Sequence, residues 1–305
     1  MGNRIVIEAF AKINIGLGIG TLDDEGYHPI SSIFHAVGLS DSISIEMTET
    51  PGIEVLGSFD CPIESSTVYR AAASVIEYFN IQKGCRISVT KRIPVRAGLG
   101  GGSADAAGIL EGLVRLFSIP ADSSELEKMG AAIGSDVPFF LKGGAAYVSG
   151  RGELVERIAA RNDFFILLAY PGFGVSTAEA FAGLDDYRRK SGVLNPGSLA
   201  TKKELLDMFT SKPENWHFKN HFKEYLENEH PLLMKIDSLM KSTGALYTSP
   251  TGSGSCIYGI YDSSNSAKKA KHSFYSSATG FLEEKTLESI VLYVIKPLET
   301  SIVIR

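Results

Sequence analysis

From Pro94 to Ala107 the chain reads PVRAGLGGGSADAA, with four glycines in the five positions from Gly98 to Gly102 and a helical pattern directly after them. Glycine permits positive φ and close backbone approach, and the first amides of a helix have no intrahelical partners. A loop of this kind draws phosphate, because converging N–H groups and the helix dipole both favour an anion. Ser103 supplies a hydroxyl for a phosphate oxygen or a bound Mg²⁺, and Asp105 a cap or a charge that tunes the region. The same letters also read as a flexible surface turn before a capped helix. The run is not a Walker A loop, since it lacks the GK[ST] ending, and Ser103 stands where the dinucleotide fingerprint needs its third glycine.

Two charged residues sit in apolar surroundings. Strand alternation in FAKINIGL buries Lys12 or aims it into a cleft, and an unpaired buried ammonium is costly. Asp136 in GSDVPFFL has the same predicament with opposite sign, ahead of an apolar run read as a strand. The two suit a phosphoryl transferase, with the carboxylate taking or orienting the proton of a substrate hydroxyl and the lysine stabilising developing charge. A buried structural ion pair is the lesser reading, and from spacing alone the two, 124 residues apart, need not be related.

Tyr27 and His28, in GYH, offer a ring and an imidazole edge to a flat polar ligand, or form only a surface turn. His217 and His221 share helical spacing without a third ligand, so zinc is not expected. TGSGS at 251–255 either closes against the first glycine loop or merely links two elements. Cys256 reads as core filling rather than a nucleophile.

The elements that position these residues follow from periodicity. IVIEAFAKINIGLGIG from Ile5 reads as strands broken by glycines, and ISIEMTE from Ile43 as another. A stripe of Val68, Ala71, Ala72, Val75 and Phe79 predicts a helix, CRISVTKRIPV a strand, and the segment from Ser103 a second helix. Asp122 with Glu125 forms a capping-box pattern for a helix to about Ile133. GGAAYVSGRGELVERI reads as a hairpin and FFILLAY as a buried strand, with a soft boundary near 155 to 162. Helices follow from about Ser176, around Lys202 to Phe209 and near Ser266 to Ser276, with a polar stretch SGVLNPGS after the first and an amphipathic region over Phe222 to Met240. CIYGI and the last strand, Ile290 to Ile295, complete an α+β pattern.

The 305 residues suffice for one large domain or two ordinary ones. Thirty Lys and Arg against 35 Asp and Glu leave no general footprint for nucleic acid. The longest apolar run is far short of about 20 residues, so no membrane association is expected. The charge balance leaves room for a small anionic ligand, and the three dispersed cysteines and the lack of a signal-like amino terminus predict a cytoplasmic protein.

AKIN at 11–14, GYH at 26–28, IPVRAGLGGGSADAA from Ile93, GSDVPFF from Gly134 and TGSGS from Thr251 together resemble the GHMP kinases over nearly the whole chain. The resemblance implies a two-domain α+β fold: an amino-terminal ribosomal protein S5 domain 2-like ATP domain over 1–158, and a carboxyl-terminal ferredoxin-like domain over 159–305. It implies ATP as donor with Mg²⁺, and Lys12 and Asp136 as the catalytic pair. Pro94, Ala97, Gly98, Leu99, Gly100, Gly101, Gly102, Ser103 and Ala104 would bind the nucleotide, with Ser103 near the metal. Asn14, Tyr27, His28, Asp136 and Phe181 would bind the acceptor, Phe181 stacking on the far face of a cytosine. GYH with LSD at 39–41 favours the branch that phosphorylates the 2-hydroxyl of 4-diphosphocytidyl-2-C-methyl-D-erythritol for isoprenoid synthesis; homoserine or mevalonate kinase is the alternative. A nucleotide-binding regulator would not require Asp136. Ser66 and Thr67 depart from the family's usual asparagine, and Pro29 from its usual glutamate after GYH. Such a kinase would work as a monomer or homodimer.

Overall fold

A computed structural model describes residues 3–192 and 199–305. The amino-terminal half runs β1 (Arg4–Ile19), β2 (Ile30–Thr48), β3 (Ile53–Leu56), α1 (Thr67–Tyr78), β4 (Gly84–Thr90), α2 (Gly101–Leu116), α3 (Ser123–Ile133), α4 (Val137–Lys142), β5 (Ala145–Ser149) and β6 (Leu154–Ile158). After it come β7 (Phe165–Tyr170), α5 (Thr177–Ser191), α6 (Lys202–Thr210), α7 (Lys223–Glu229), α8 (Pro231–Ser242), β8 (Tyr247–Pro250) and β9 (Ile257–Tyr261). The chain ends with α9 (Ser264–Ala278), α10 (Glu284–Ser289), β10 (Val291–Ile295) and β11 (Ile302–Ile304).

Two sheets result. The first has strand order β11-β1-β2-β4-β3, with the β5–β6 hairpin attached to β2; the second has order β10-β7-β9-β8. Pairing is antiparallel throughout except between β3 and β4. Ala11, Ile13, Ile15, Ile33 and Val37 of the first sheet pack with Ile166, Leu168, Tyr258 and Ile260 of the second in one buried cluster. Each such aliphatic side chain removed from water contributes about 1.5–3 kcal/mol, so the contact between the halves is a core.

Two irregularities in β1 decide which residues reach that core. The register of β1 on β2 shifts between Phe10 and Ala11 and again between Ile15 and Leu17. Side chains alternate with period two, so each shift flips the faces. Ile7 and Ala9 share one cluster with the α2 residues Ala104 and Ala107, Ala11 to Ile15 turn their odd positions to the second sheet, and Leu17 and Ile19 return to the first cluster. Lys12 and Asn14 are thereby moved to the face that α2 covers.

The structure revises several expectations. β1 is one continuous strand, with Gly16 at φ +75° absorbing the second shift rather than ending a strand. Helix α2 begins at Gly101 instead of Ser103. The apolar VPFFL after Asp136 is the short helix α4, started by Pro138 in its first turn, and not a strand. The region Phe222 to Met240 is two helices divided at His230 and Pro231. Strand β10 joins β7, but it is not the last strand, because β11 returns to pair with Ile7 to Ala9. The capping box on Asp122 and the hairpin at 145–158 are present as read. The last six residues of the polar stretch SGVLNPGS, 193–198, lie outside the described residues.

Candidate active site

Lys12 is 4% exposed on β1, yet its ammonium lines a cleft of about 450 Å³. Its Nζ donates to Asn14 Oδ1 at 2.6 Å, stands 3.5 Å from Asp136 Oδ2 and lies over the Phe34 ring at 4.5 Å. Burial lowers the lysine's pKa, and Asp136 opposes that by favouring the charged form. Asp136 occupies the N-cap position of α4 without capping it, so its carboxylate is left to the cleft.

The glycine loop passes beside this pair. The Lys12 backbone N–H donates to Leu99 O at 3.0 Å, and a Cβ on Gly100 would lie 3.3 Å from Lys12 Cε and 2.8 Å from the Phe140 ring. Gly100, at φ +71°, is the N-cap of α2 and has no side chain to cap it, so the first amides of the helix open toward the cleft. Gly98, at φ +76°, is pressed on the second half of the chain: an added Cβ would meet Thr251 O at 1.9 Å. Thr251 Oγ1 donates to Gly98 O at 3.0 Å and accepts from the Asn14 amide at 3.1 Å. TGSGS therefore closes against the first loop and ties it to β1.

A buried cluster stiffens the loop's two ends. Lys91 Nζ lies 2.5 Å from Asp41 Oδ2 and 2.6 Å from Asp105 Oδ2, while Asp41 Oδ1 accepts the amides of Arg92 and Ile93. Burial acts to lower the Lys91 pKa, but the two carboxylates outweigh it and hold it above the ordinary value. Burial pushes Asp105 up; Lys91 opposes that, and the charge on Asp41 adds to it. Asp105 Oδ1 is buried without a partner.

Of the expected nucleotide residues, Pro94 and Ala97 to Ser103 all line the cleft. Ala104 does not: it is buried in α2, and its amide closes the first turn on Gly100 O at 2.9 Å. Ser58 to Cys61 and Ser65 to Thr67 form a further wall next to the glycine loop. Ser66 caps α1 through its Oγ, and Thr67 Oγ1 donates to Gly102 O at 2.7 Å.

On the other side, Asn14, Asp136 and Phe181 line the cleft, whereas Tyr27 and His28 do not. His28 differs from its expected role. Its Nδ1 pairs with Gly20 O at 2.8 Å and its Nε2 with Asp185 Oδ2 at 3.2 Å, so both ring nitrogens are used inside the protein. The ring also stacks on Phe181, with centroids 5.2 Å apart and planes 12° apart, and rings in direct contact leave no gap for a base between them. Tyr27 is 52% exposed, with the Arg151 guanidinium 3.9 Å from its ring centre.

Comparison with known proteins agrees with this architecture. The GHMP kinases N terminal domain family matches residues 66–144, and the GHMP kinases C terminal family matches residues 201–278. A 4-diphosphocytidyl-2-C-methyl-D-erythritol kinase of Caldicellulosiruptor saccharolyticus is 35% identical, over 87% of this chain and 91% of the relative. The chain belongs to the GHMP kinases. A relative of the same description from Clostridium beijerinckii is 35% identical over 84% of this kinase and 90% of its own length. A crystal structure of 4-(cytidine 5'-diphospho)-2C-methyl-D-erythritol kinase superposes with a TM-score of 0.75 at 26% identity, covering 95% of this kinase and 99% of that chain. A homoserine kinase from Cytophaga hutchinsonii shares the fold, with a TM-score of 0.73 at 16% identity and coverage of 100% and 98%.

Sequence reasoning missed three features of the kinase's cleft. Lys91 carried a signal, a lysine at a strand end one turn of chain before the glycine loop, but its partners Asp41 and Asp105 are distant in sequence. Arg151 lies in a hairpin turn, where a charged residue is ordinary. The Ser58 to Cys61 wall has no periodicity to reveal it. Among the described residues no three His, Cys, Asp or Glu side chains are grouped to hold a metal. Ser103, half-buried in the first turn of α2 and lining the cleft, suits a Mg²⁺ that arrives on a nucleotide rather than a resident ion.

Proposed function

We propose that this kinase transfers the γ-phosphoryl group of ATP to the 2-hydroxyl of 4-diphosphocytidyl-2-C-methyl-D-erythritol, in the non-mevalonate route to isoprenoid precursors. The observation that carries the reading is the Lys12–Asp136 pair, 3.5 Å apart beside the uncapped start of α2. Asp136 takes the proton of the acceptor hydroxyl as its oxygen bonds to the γ-phosphorus and ADP leaves. Lys12 holds the carboxylate in place and stabilises charge on the transferring group, and it does so from a desolvated position where such an interaction is strong. Asn14 fixes the Lys12 ammonium through the 2.6 Å contact.

Residues 98–103 cradle the triphosphate, with Pro94 and Ala97 beside them. Ser103 would hold a Mg²⁺ carried on the nucleotide, which would supply charge neutralisation when bound. The acceptor lies against Asp136, Asn14 and Phe181, with Tyr27 at the edge of the cleft and His28 holding the Phe181 ring. Residues 1–158 bind the nucleotide and 159–305 complete the acceptor side, in a cytoplasmic enzyme that needs no nucleic-acid or membrane partner. No helix among the described residues is long and apolar enough to cross a membrane.

The test is a phosphoryl-transfer screen with purified protein, Mg-ATP and a panel of acceptors. The diphosphocytidyl compound should be phosphorylated and homoserine, mevalonate and galactose left unchanged. Efficient turnover of any of those three, measured as kcat/KM at saturating Mg-ATP, refutes the assignment.

A further inference from the structure

Among the described residues four cations line the cleft, and each already faces a carboxylate: Lys12 with Asp136, Lys91 with Asp41 and Asp105, Arg96 with Asp60, and Arg151 with Glu25 and Asp23. They fall into two classes. The lysines are 5% and 18% exposed at the side chain, so removing a partner would strand a buried charge. The arginine pairs are open to solvent, with Arg151 38% and Glu25 72% exposed, and exposed pairs are weak enough for an incoming anion to displace. Arg96 belongs to the glycine-loop side. Arg151 belongs to the other: it sits in the turn between β5 and β6, and its neighbour Gly152 is so close to the catalytic wall that an added Cβ would lie 3.7 Å from Asp136 Oδ1.

The geometry of Arg151 separates two uses. Its flat face covers the Tyr27 ring at 3.9 Å, and both ion pairs to Asp23 and Glu25 are made by the single nitrogen Nη2 on its rim. A guanidinium carries five donors around that rim and matches a phosphate in bidentate fashion. The face and the rim are independent, so the rim can change partners while the ring stack persists.

We propose that Arg151 is a specificity-determining residue for the acceptor: its rim leaves Glu25 and Asp23 and takes the diphosphate of a nucleoside diphosphate, while its face keeps Tyr27 in place. The proposal rests on the reading that the acceptor carries such a diphosphate. Glu25 and Asp23 then act as placeholders that neutralise Arg151 and compete with the ligand for it.

The placeholder role gives opposite signs for the two partners of one ion pair. Arg151→Ala should raise KM for the acceptor about 10- to 100-fold, the scale of lost hydrogen bonds to a charged group, with KM for ATP and kcat within threefold of wild type. Glu25→Gln should lower acceptor KM about two- to fivefold. Calorimetry with ADP saturating the donor site should show cytidine 5'-diphosphate losing affinity in Arg151→Ala by the same factor as the KM change, and cytidine losing less than threefold. Arg151→Lys, with charge but no fork, should fall between. If Arg151→Ala and Glu25→Gln weaken cytidine 5'-diphosphate alike, Arg151 is only a latch and the proposal is wrong; it is equally wrong if cytidine loses as much as its diphosphate, or if Arg151→Ala changes nothing. Turnover of the diphosphocytidyl acceptor with no Arg151 dependence sinks this proposal alone. An Arg151-dependent diphosphate increment without turnover sinks the assigned reaction alone.

Discussion

The glycine loop lines the cleft and the GYH segment lies outside its lining, and the two are held differently. Gly98 to Gly102 is clamped by backbone: Leu99 O takes the Lys12 amide, Gly98 is pressed on Thr251, and the buried Lys91–Asp41–Asp105 cluster anchors both approaches. Residues 20–29 close on their own backbone, Gly20 N–H to Pro29 O at 2.8 Å and Asp23 N–H to Tyr27 O at 2.7 Å, and add exposed side-chain contacts from Asp23 to the Tyr27 amide at 2.8 Å and from Arg151 to Glu25 and Asp23. The glycine loop is thus fixed at both ends by the fold, an arrangement that would suit charge stabilisation by fixed dipoles. The exposed Arg151 pairs are the weaker hold, and under the proposed function the acceptor's binding energy would complete that side.

The comparison breaks first at its centre, where both walls meet. Asp136→Asn should cut kcat by about 10²- to 10⁴-fold while leaving Mg-ATP affinity near wild type. Retention of more than a third of kcat, where chemistry limits turnover, would remove Asp136 from the reaction. Lys12→Ala should lose about 2.7–4 kcal/mol of transition-state stabilisation, whereas a variant that merely unfolds would show the pair to be structural.

Matched glycines test the rigidity claim next. Gly98 and Gly26 have similar positive φ, +76° and +81°, but a Cβ on Gly26 meets nothing within 4 Å. Gly26→Ala should therefore cost only about 1–2 kcal/mol of backbone strain. Gly98→Ala should cost visibly more in thermal unfolding and also weaken Mg-ATP at least tenfold by calorimetry. Equal losses at the two sites would show that the contact with Thr251 does not hold the loop. Gly101→Val, which grows toward Ile93 and Lys91, should abolish Mg-ATP binding in a folded protein.

Among the proposed acceptor residues, Tyr27→Ala and Phe181→Ala should raise acceptor KM roughly 10- to 100-fold, or about 1–3 kcal/mol, and spare KM for ATP. His28→Ala should act through Phe181 and give a smaller effect than Phe181→Ala. A His28 effect larger than that of Phe181 would restore the imidazole as a direct reader of the base.

The smallest effect concerns α2 away from both walls. Burial pushes Glu111 up to about 7, so the folded protein keeps its proton where the unfolded chain has lost it. The folded value is raised, hence stability falls as pH rises from about 4.5 toward 7, by about 1–3 kcal/mol in all. Glu111→Gln should match wild type in Tm at pH 4 and exceed it at pH 8. A constant difference across that range would contradict the shift.

Local chemistry made much of this legible in the letters. The capping box at Asp122, the hairpin after Gly143 and the helix behind the glycines follow from propensities that act within a few residues. The α4 reading failed because VPFFL is too short for either period to declare itself, and Pro138 in the first turn favoured helix. β11 escaped notice because three residues carry no pattern, and it exists only because β1 offers an edge.

By itself the sequence determined which residues are equipped for phosphate chemistry: the glycines, the isolated Lys12 and the isolated Asp136. Only the tertiary structure decided that they meet. A register shift at Phe10 and Ala11, set by pairing with β2, turns Lys12 toward α2 instead of the second sheet, and no local preference of FAKIN specifies that face. The same is true of His28, whose two nitrogens are taken by Gly20 and the distant Asp185. Side-chain identity is written residue by residue, whereas its direction is settled by strand register and by which distant groups the fold brings within hydrogen-bonding reach.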